Sequence, residues 1–143
     1  MFNMITVYHS TNIGVHFEEI QLGKDGGIHF GSYAQAKARN MGNIYEAQID
    51  PKKVRRCKDP GHGWEKKIKD AKNRGFDAII YLNRYEGLDR DTIIQRVQEG
   101  WTMDKCEPLS DKKFKKLFPE ARDSYIVFEG PDILQVEQNS YLI

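Results

Sequence analysis

Three short stretches of this 143-residue chain set reactive side chains at the ends of apolar runs. TVYHST carries His9, Ser10 and Thr11, GIHFGS carries His29, Phe30, Gly31 and Ser32, and GFDAIIYLNRYEG closes on Asn83 and Glu86. Imidazole, hydroxyl, carboxamide and carboxylate groups at strand ends are held by a scaffold yet open to a ligand, and sites are usually built there. His29 most needs a reason, because valine or isoleucine enters a core more cheaply than a ring whose two nitrogens must both find partners. Each residue also has an ordinary reading: His9 as a strand cap, Glu86 as a solvated turn residue in a chain that is 30% charged. Asn83 can orient its loop by bonding to the main chain, and Tyr81 and Tyr125 read as sheet core.

Composition narrows the classes. Twenty-two Lys and Arg against 21 Asp and Glu leave a net charge of +1, so no whole-molecule field draws the protein to nucleic acid or an anionic membrane. Cys57 and Cys106 are too few for a disulfide framework, and Cys57 with His62 is too sparse for a zinc motif, so a reducing cytoplasm is expected and no metal is implied. MFNMITVYHS lacks the basic start and apolar core of a signal peptide, and no apolar run approaches the ~20 residues of a membrane span. A chain of this length fits one domain, 1–143, with its own core.

The elements that must position these groups follow from periodicity. Alternating β-branched and aromatic residues predict strands over 5–8, 28–30, 44–49, 78–82, 125–128 and 133–136. Helices are predicted over 33–40, with Ser32 as N-cap, over 64–73, ending at Gly75, and over 89–99, where Ile93, Ile94 and Val97 keep helical spacing. The span 88–122 is a polar, lysine-rich insert. Irregular alternation of strands and helices, with no GxGxxG after the first strand, argues for an α+β fold. The run 52–74 holds ten basic residues against Asp59, Glu65 and Asp70, a local +7 that can face phosphates of a cofactor or of nucleic acid.

In order along the chain, the three motifs resemble the ADP-ribosyltransferase superfamily, specifically its histidine-first branch, shared by poly(ADP-ribose) polymerases and transferase domains of phage-borne polyvalent proteins. The first strand of that branch ends in His-Gly-Ser or His-Gly-Thr, here His9, Ser10 and Thr11. Its Gly-x-His-Phe-Gly element, followed by a short alanine-rich helix, is matched by Gly27, Ile28, His29, Phe30, Gly31 and Ser32. Its third element is matched by Gly75, Asp77, Ile79, Tyr81, Asn83, Glu86 and Gly87, then by Ser124, Tyr125, Phe128 and Ile133. Two departures stand out: Ser10 replaces a glycine, and the insert lengthens the loop that normally recognises the target. In the polymerases the catalytic glutamate opens the final strand, where this chain has Ser124, which leaves Glu86 or Asp123 to supply the acid.

The resemblance implies a compact split β-sheet core with short flanking helices, and a mono-ADP-ribosyltransferase that uses NAD and modifies a macromolecular acceptor, most naturally a protein. A small domain of this kind fits an effector or phage-type protein acting in a host cytoplasm. The implied catalytic residues are Glu86 and His9, and the implied cofactor contacts are His9, Ser10, Thr11, His29, Phe30, Gly31, Ser32 and Asn83. Cleaving the nicotinamide N-glycosidic bond builds an oxocarbenium-like transition state, and a carboxylate bonded to the ribose 2'-OH strengthens as that charge develops, by about 3 to 4 kcal/mol. His9 would fix the bent dinucleotide through a ribose hydroxyl, and the ring of His29 would stack on nicotinamide. The same fold admits an NAD glycohydrolase, an RNA 2'-phosphotransferase, or an inactive module that binds protein or nucleic acid through 52–74 and 112–116. The insert is expected to carry target recognition and to be separable from NAD cleavage.

Overall fold

The computed structural model describes residues 4–12, 23, 25–39, 42–128 and 133–139, those at 11, 12, 42 and 133–139 by their backbone alone. Their elements are β1 (Ile5–Asn12), β2 (Ile28–Phe30), α1 (Tyr33–Ala38), β3 (Gly42–Ile49), β4 (Val54–Cys57), α2 (Trp64–Asn73), β5 (Ala78–Leu82), α3 (Arg90–Gln98), α4 (Met103–Cys106), α5 (Asp111–Leu117), β6 (Asp123–Val127) and β7 (Ile133–Asn139). The architecture is α+β, with a three-stranded antiparallel sheet ordered β1-β3-β7 and a four-stranded sheet ordered β2-β6-β5-β4. Within the second sheet only β4 and β5 are parallel, and α2 lies on the crossover that such a pair requires.

Alternation along the strands explains how the sheets meet. Val7, Ala47 and Ile49 of the first sheet pack with Ile28, Phe30 and Val127 of the second in one buried cluster. On its other side the second sheet gives Ile79, Tyr81 and Ile126 to a cluster completed by Phe128 and by Trp64, Ile68 and Ala71 of α2. Tyr8 and Gly31 exchange backbone hydrogen bonds of 2.8 and 2.9 Å, stitching β1 to the end of β2 where the sheets diverge. No helix among the described residues is long and apolar enough to cross a membrane.

Several sequence expectations change. β1 continues to Asn12 because β3 pairs with it as far as Asn12 opposite Gly42, so His9 stands in mid-strand and not at a strand end. Helix α1 ends at Ala38, and Asn40 lies outside the described residues. The basic run 52–74 is not one solvated face, since Val54–Cys57 is a sheet strand. Half of its ten basic residues are engaged, Lys52 with Asp50, Arg55 and Arg74 with Asp70, Arg56 with Asp123, and Lys58 Nζ with the Glu107 carbonyl, while Lys53 and, on α2, Lys66, Lys67, Lys69 and Lys72 are exposed.

The insert holds three helices where one was expected, and it packs into the core. Phe114, Phe118 and Ala121 form a buried cluster with Leu82 of β5. Arg84, whose side chain is only 4% exposed, donates to the carbonyls of Cys106 and Leu109 and to Asp111 Oδ1, and its guanidinium lies over the Phe114 ring. Two residues before Glu86, the chain is thus anchored in the insert.

Candidate functional site

The loop after β5 is shaped by Asn83. Its Oδ1 accepts from the backbone N–H groups of Tyr85 and Glu86 at 3.0 and 2.9 Å, an Asx-type turn that folds the loop back on itself. Its Nδ2 donates to Glu86 Oε1 at 3.1 Å and to Ser124 Oγ at 3.0 Å, so one buried amide fixes both the loop and its carboxylate. Arg39, at the C-cap of α1, donates to Glu86 Oε2 at 2.9 Å. Both oxygens of Glu86 are therefore occupied.

Gln35 is the hub behind this loop. With Ser32 it closes a capping box at the start of α1: Ser32 Oγ accepts from Gln35 N, and Gln35 Oε1 accepts from Ser32 N. The same Oε1 accepts from Ser124 Oγ at 2.6 Å, and Nε2 donates to the Arg122 carbonyl. Two glycines are required by its bulk: a Cβ on Gly31 would lie 2.1 Å from Gln35 Oε1, and one on Gly87 2.8 Å from Gln35 Cγ.

Three adjoining hollows share His29 and Arg39 in their lining. The narrowest, with room of about 10 Å³, is walled by Tyr8, Ser10, Phe30, Gly31, Tyr81 and Glu86 among others. A hollow of about 290 Å³ adds Asp59, Gly61, Trp64, Asn83 and Tyr85, and one of about 520 Å³ extends toward Asp25, His62 and Glu65. His29 Nε2 donates to Asp25 Oδ2 at 2.6 Å, and Asp25 Oδ1 is held by the Gly27 N–H. The His29 ring stands edge-on to Trp64. This is why an imidazole is tolerated in β2: its partner lies four residues upstream, in the turn that enters the strand.

Of the residues the motifs single out, Ser10, His29, Phe30, Gly31, Asn83 and Glu86 converge on these hollows. Ser10 is buried and its Oγ has no hydrogen-bond partner among the described residues. Ser32 is the N-cap of α1. Thr11 pairs with Asn43 through its backbone, and its side chain lies outside the described residues. His9 is not in the lining of the three hollows; its Nδ1 donates to the His29 carbonyl at 2.7 Å and its ring packs 5.5 Å from Phe30. Asp123, the alternative acid, is paired bidentately with Arg56 and lines none of them.

Burial sets the protonation pattern. It holds the His9 imidazole below the ordinary histidine range, against the bond to the His29 carbonyl, which favours the charged ring. Burial likewise raises the Asp59 carboxyl, although Arg84 N and Gly61 N both donate to it, and pushes the Tyr81 phenol up, so that Tyr81 stays a neutral wall. Sequence reasoning missed Asp25, Gln35, Arg39, Asp59 and Trp64. A capping-box signature, Ser32 with Gln35 three residues on, was there to find Gln35; Asp25 is a local partner of His29, four residues upstream, and Arg39, Asp59 and Trp64 are brought in by tertiary contacts.

Comparison with protein-family models, with curated proteins and with solved structures returns no match.

Proposed function

We propose that this chain is a mono-ADP-ribosyltransferase that cleaves NAD at the nicotinamide N-glycosidic bond and transfers ADP-ribose to a macromolecular acceptor. The observation that carries the reading is the placement of Glu86: a carboxylate fixed by Asn83 and Arg39 at the junction of a narrow, aromatic-walled hollow and a wider one. An oxocarbenium-like transition state needs such a preorganised negative charge beside the sugar.

The remaining residues fit NAD in kind. Ser10 offers a buried hydroxyl without a partner among the described residues, suited to a carboxamide, and Tyr8, Phe30 and Tyr81 offer flat apolar walls. Arg39 brings a cation to all three hollows for the pyrophosphate. The narrow hollow has room for about one water and admits a ring only when its wall moves. Binding therefore couples to a rearrangement in which Arg39 exchanges Glu86 for phosphate and the freed Oε2 takes the ribose hydroxyl.

The test is incubation of the purified chain with labelled NAD and a cell lysate, with calorimetric titration of NAD alongside. Heat of binding, nicotinamide release and labelled macromolecules are expected. Nicotinamide release without label would make it a glycohydrolase. Absence of both binding heat and nicotinamide release would overturn the reading.

A further inference from the structure

We infer that His29, held by Asp25, is the proton acceptor for the attacking group, and that this group is a neutral hydroxyl on a protein side chain. The inference rests on the transferase reading and deepens it. His29 Nε2–H is committed to Asp25 Oδ2, which fixes the tautomer and leaves Nδ1 with its lone pair. Nδ1 has no hydrogen-bond partner among the described residues, and the ring borders every hollow of the cleft.

The other acids of the middle hollow are engaged. Asn83 and Arg39 hold the two oxygens of Glu86; Gly61 N and Arg84 N hold those of Asp59. An imidazole with one nitrogen on a carboxylate and the other open is the arrangement that accepts a proton from an alcohol during attack. A carboxylate acceptor has no proton to give up, so the dyad would be idle with it. Tyr85, 51% exposed, borders both the middle hollow and a groove on the insert lined by Leu88, Ile93, Val97, Trp101 and Phe118. That groove suits apolar side chains flanking a hydroxyl better than a sugar-phosphate chain.

The step balances. The C1'–N bond breaks with its electron pair leaving on neutral nicotinamide. The hydroxyl oxygen forms the new C1'–O bond, and its proton passes to His29 Nδ1, where Asp25 steadies the imidazolium until solvent removes it. His29 is catalytic in this scheme and Asp25 is a positioning residue.

The test compares wild type, Asp25→Asn and His29→Phe, which keeps an aromatic wall without a base, at saturating NAD with lysate proteins. Wild-type label is expected on serine or threonine, stable to neutral hydroxylamine, and both variants should transfer about a hundredfold more slowly. Sodium azide, an anionic acceptor that needs no base, should restore NAD cleavage in Asp25→Asn to the wild-type rate in azide. Label on carboxylates, arginine or nucleic acid, or cleavage with water alone, overturns this inference and leaves NAD cleavage standing. Equal transfer by wild type and both variants also overturns it. Absence of any NAD binding or cleavage by wild type removes the transferase reading and this inference together.

Discussion

Arg39 Nε and Glu86 Oε2 lie 2.9 Å apart, an ion pair between the end of α1 and the loop after β5, with side chains 37% and 32% exposed. So open a pair contributes little to folding, under about 1 kcal/mol. It instead keeps a guanidinium poised among acids at the cleft mouth. Arg39→Ala should leave the melting temperature nearly unchanged and weaken NAD binding about tenfold, as loss of a charge-assisted contact to phosphate does. Calorimetry and a thermal melt on the same preparation check both halves.

Ser10→Ala should separate stability from binding. Removing a buried hydroxyl that lacks a partner among the described residues is expected to stabilise the fold by about 1 kcal/mol, while NAD affinity falls several-fold through loss of a ligand contact. Urea denaturation and NAD titration give the two numbers. A stabilised variant with unchanged affinity would place that hydroxyl outside the ligand's reach.

Arg84→Met should cost about 3 kcal/mol, since it strips two carbonyls and Asp111 of their buried donor. Arg84→Lys should recover little, because a single ammonium cannot span the three acceptors that the planar fork reaches. Replacing 89–121 by a glycine-serine loop is accordingly expected to disturb NAD cleavage as well as target recognition, reversing the expectation from sequence. Denaturant midpoints of the variants check the first two statements, and nicotinamide release by the loop variant checks the third.

His9 predicts a pH dependence of stability. The unfolded chain takes up its proton near the ordinary value of about 6.5, and the folded chain only lower. Between those two values the unfolded state binds more protons. The stabilisation is therefore fully present above about 6.5 and is lost as pH falls toward the folded value. His9→Gln should flatten that part of the profile, measured as urea midpoints at pH steps between about 7.5 and 5.

Most strands were legible from runs of β-branched and aromatic residues: β2 buries Ile28 and Phe30 on either side of His29, whereas β5, buried at Ala78, Ile79, Tyr81 and Leu82, reads as a nearly continuous apolar run with core on both faces. Strand β4 was not, since Val54, Arg55, Arg56 and Cys57 carry no apolar alternation and are placed by parallel pairing with β5. Asn83 and Glu86, three residues apart, were readable as a unit because their bond is local. The bonds of Glu86 to Arg39 and of Ser124 to Gln35 span 47 and 89 residues, and nothing in the spacing of either pair announces them.

Nicotinamide release from NAD by wild type, Glu86→Gln and Asp123→Asn tests the central claim most directly. Gln at 86 keeps size and hydrogen-bonding capacity but removes the charge that the oxocarbenium-like state attracts, so turnover should fall about a hundredfold or more while NAD affinity changes little. Asp123→Asn, which disturbs only the pair with Arg56 away from the cleft, should turn over close to the wild-type rate. Loss of turnover in Asp123→Asn with Glu86→Gln active would move the acid to Asp123, and full activity in both variants would contradict the transferase account.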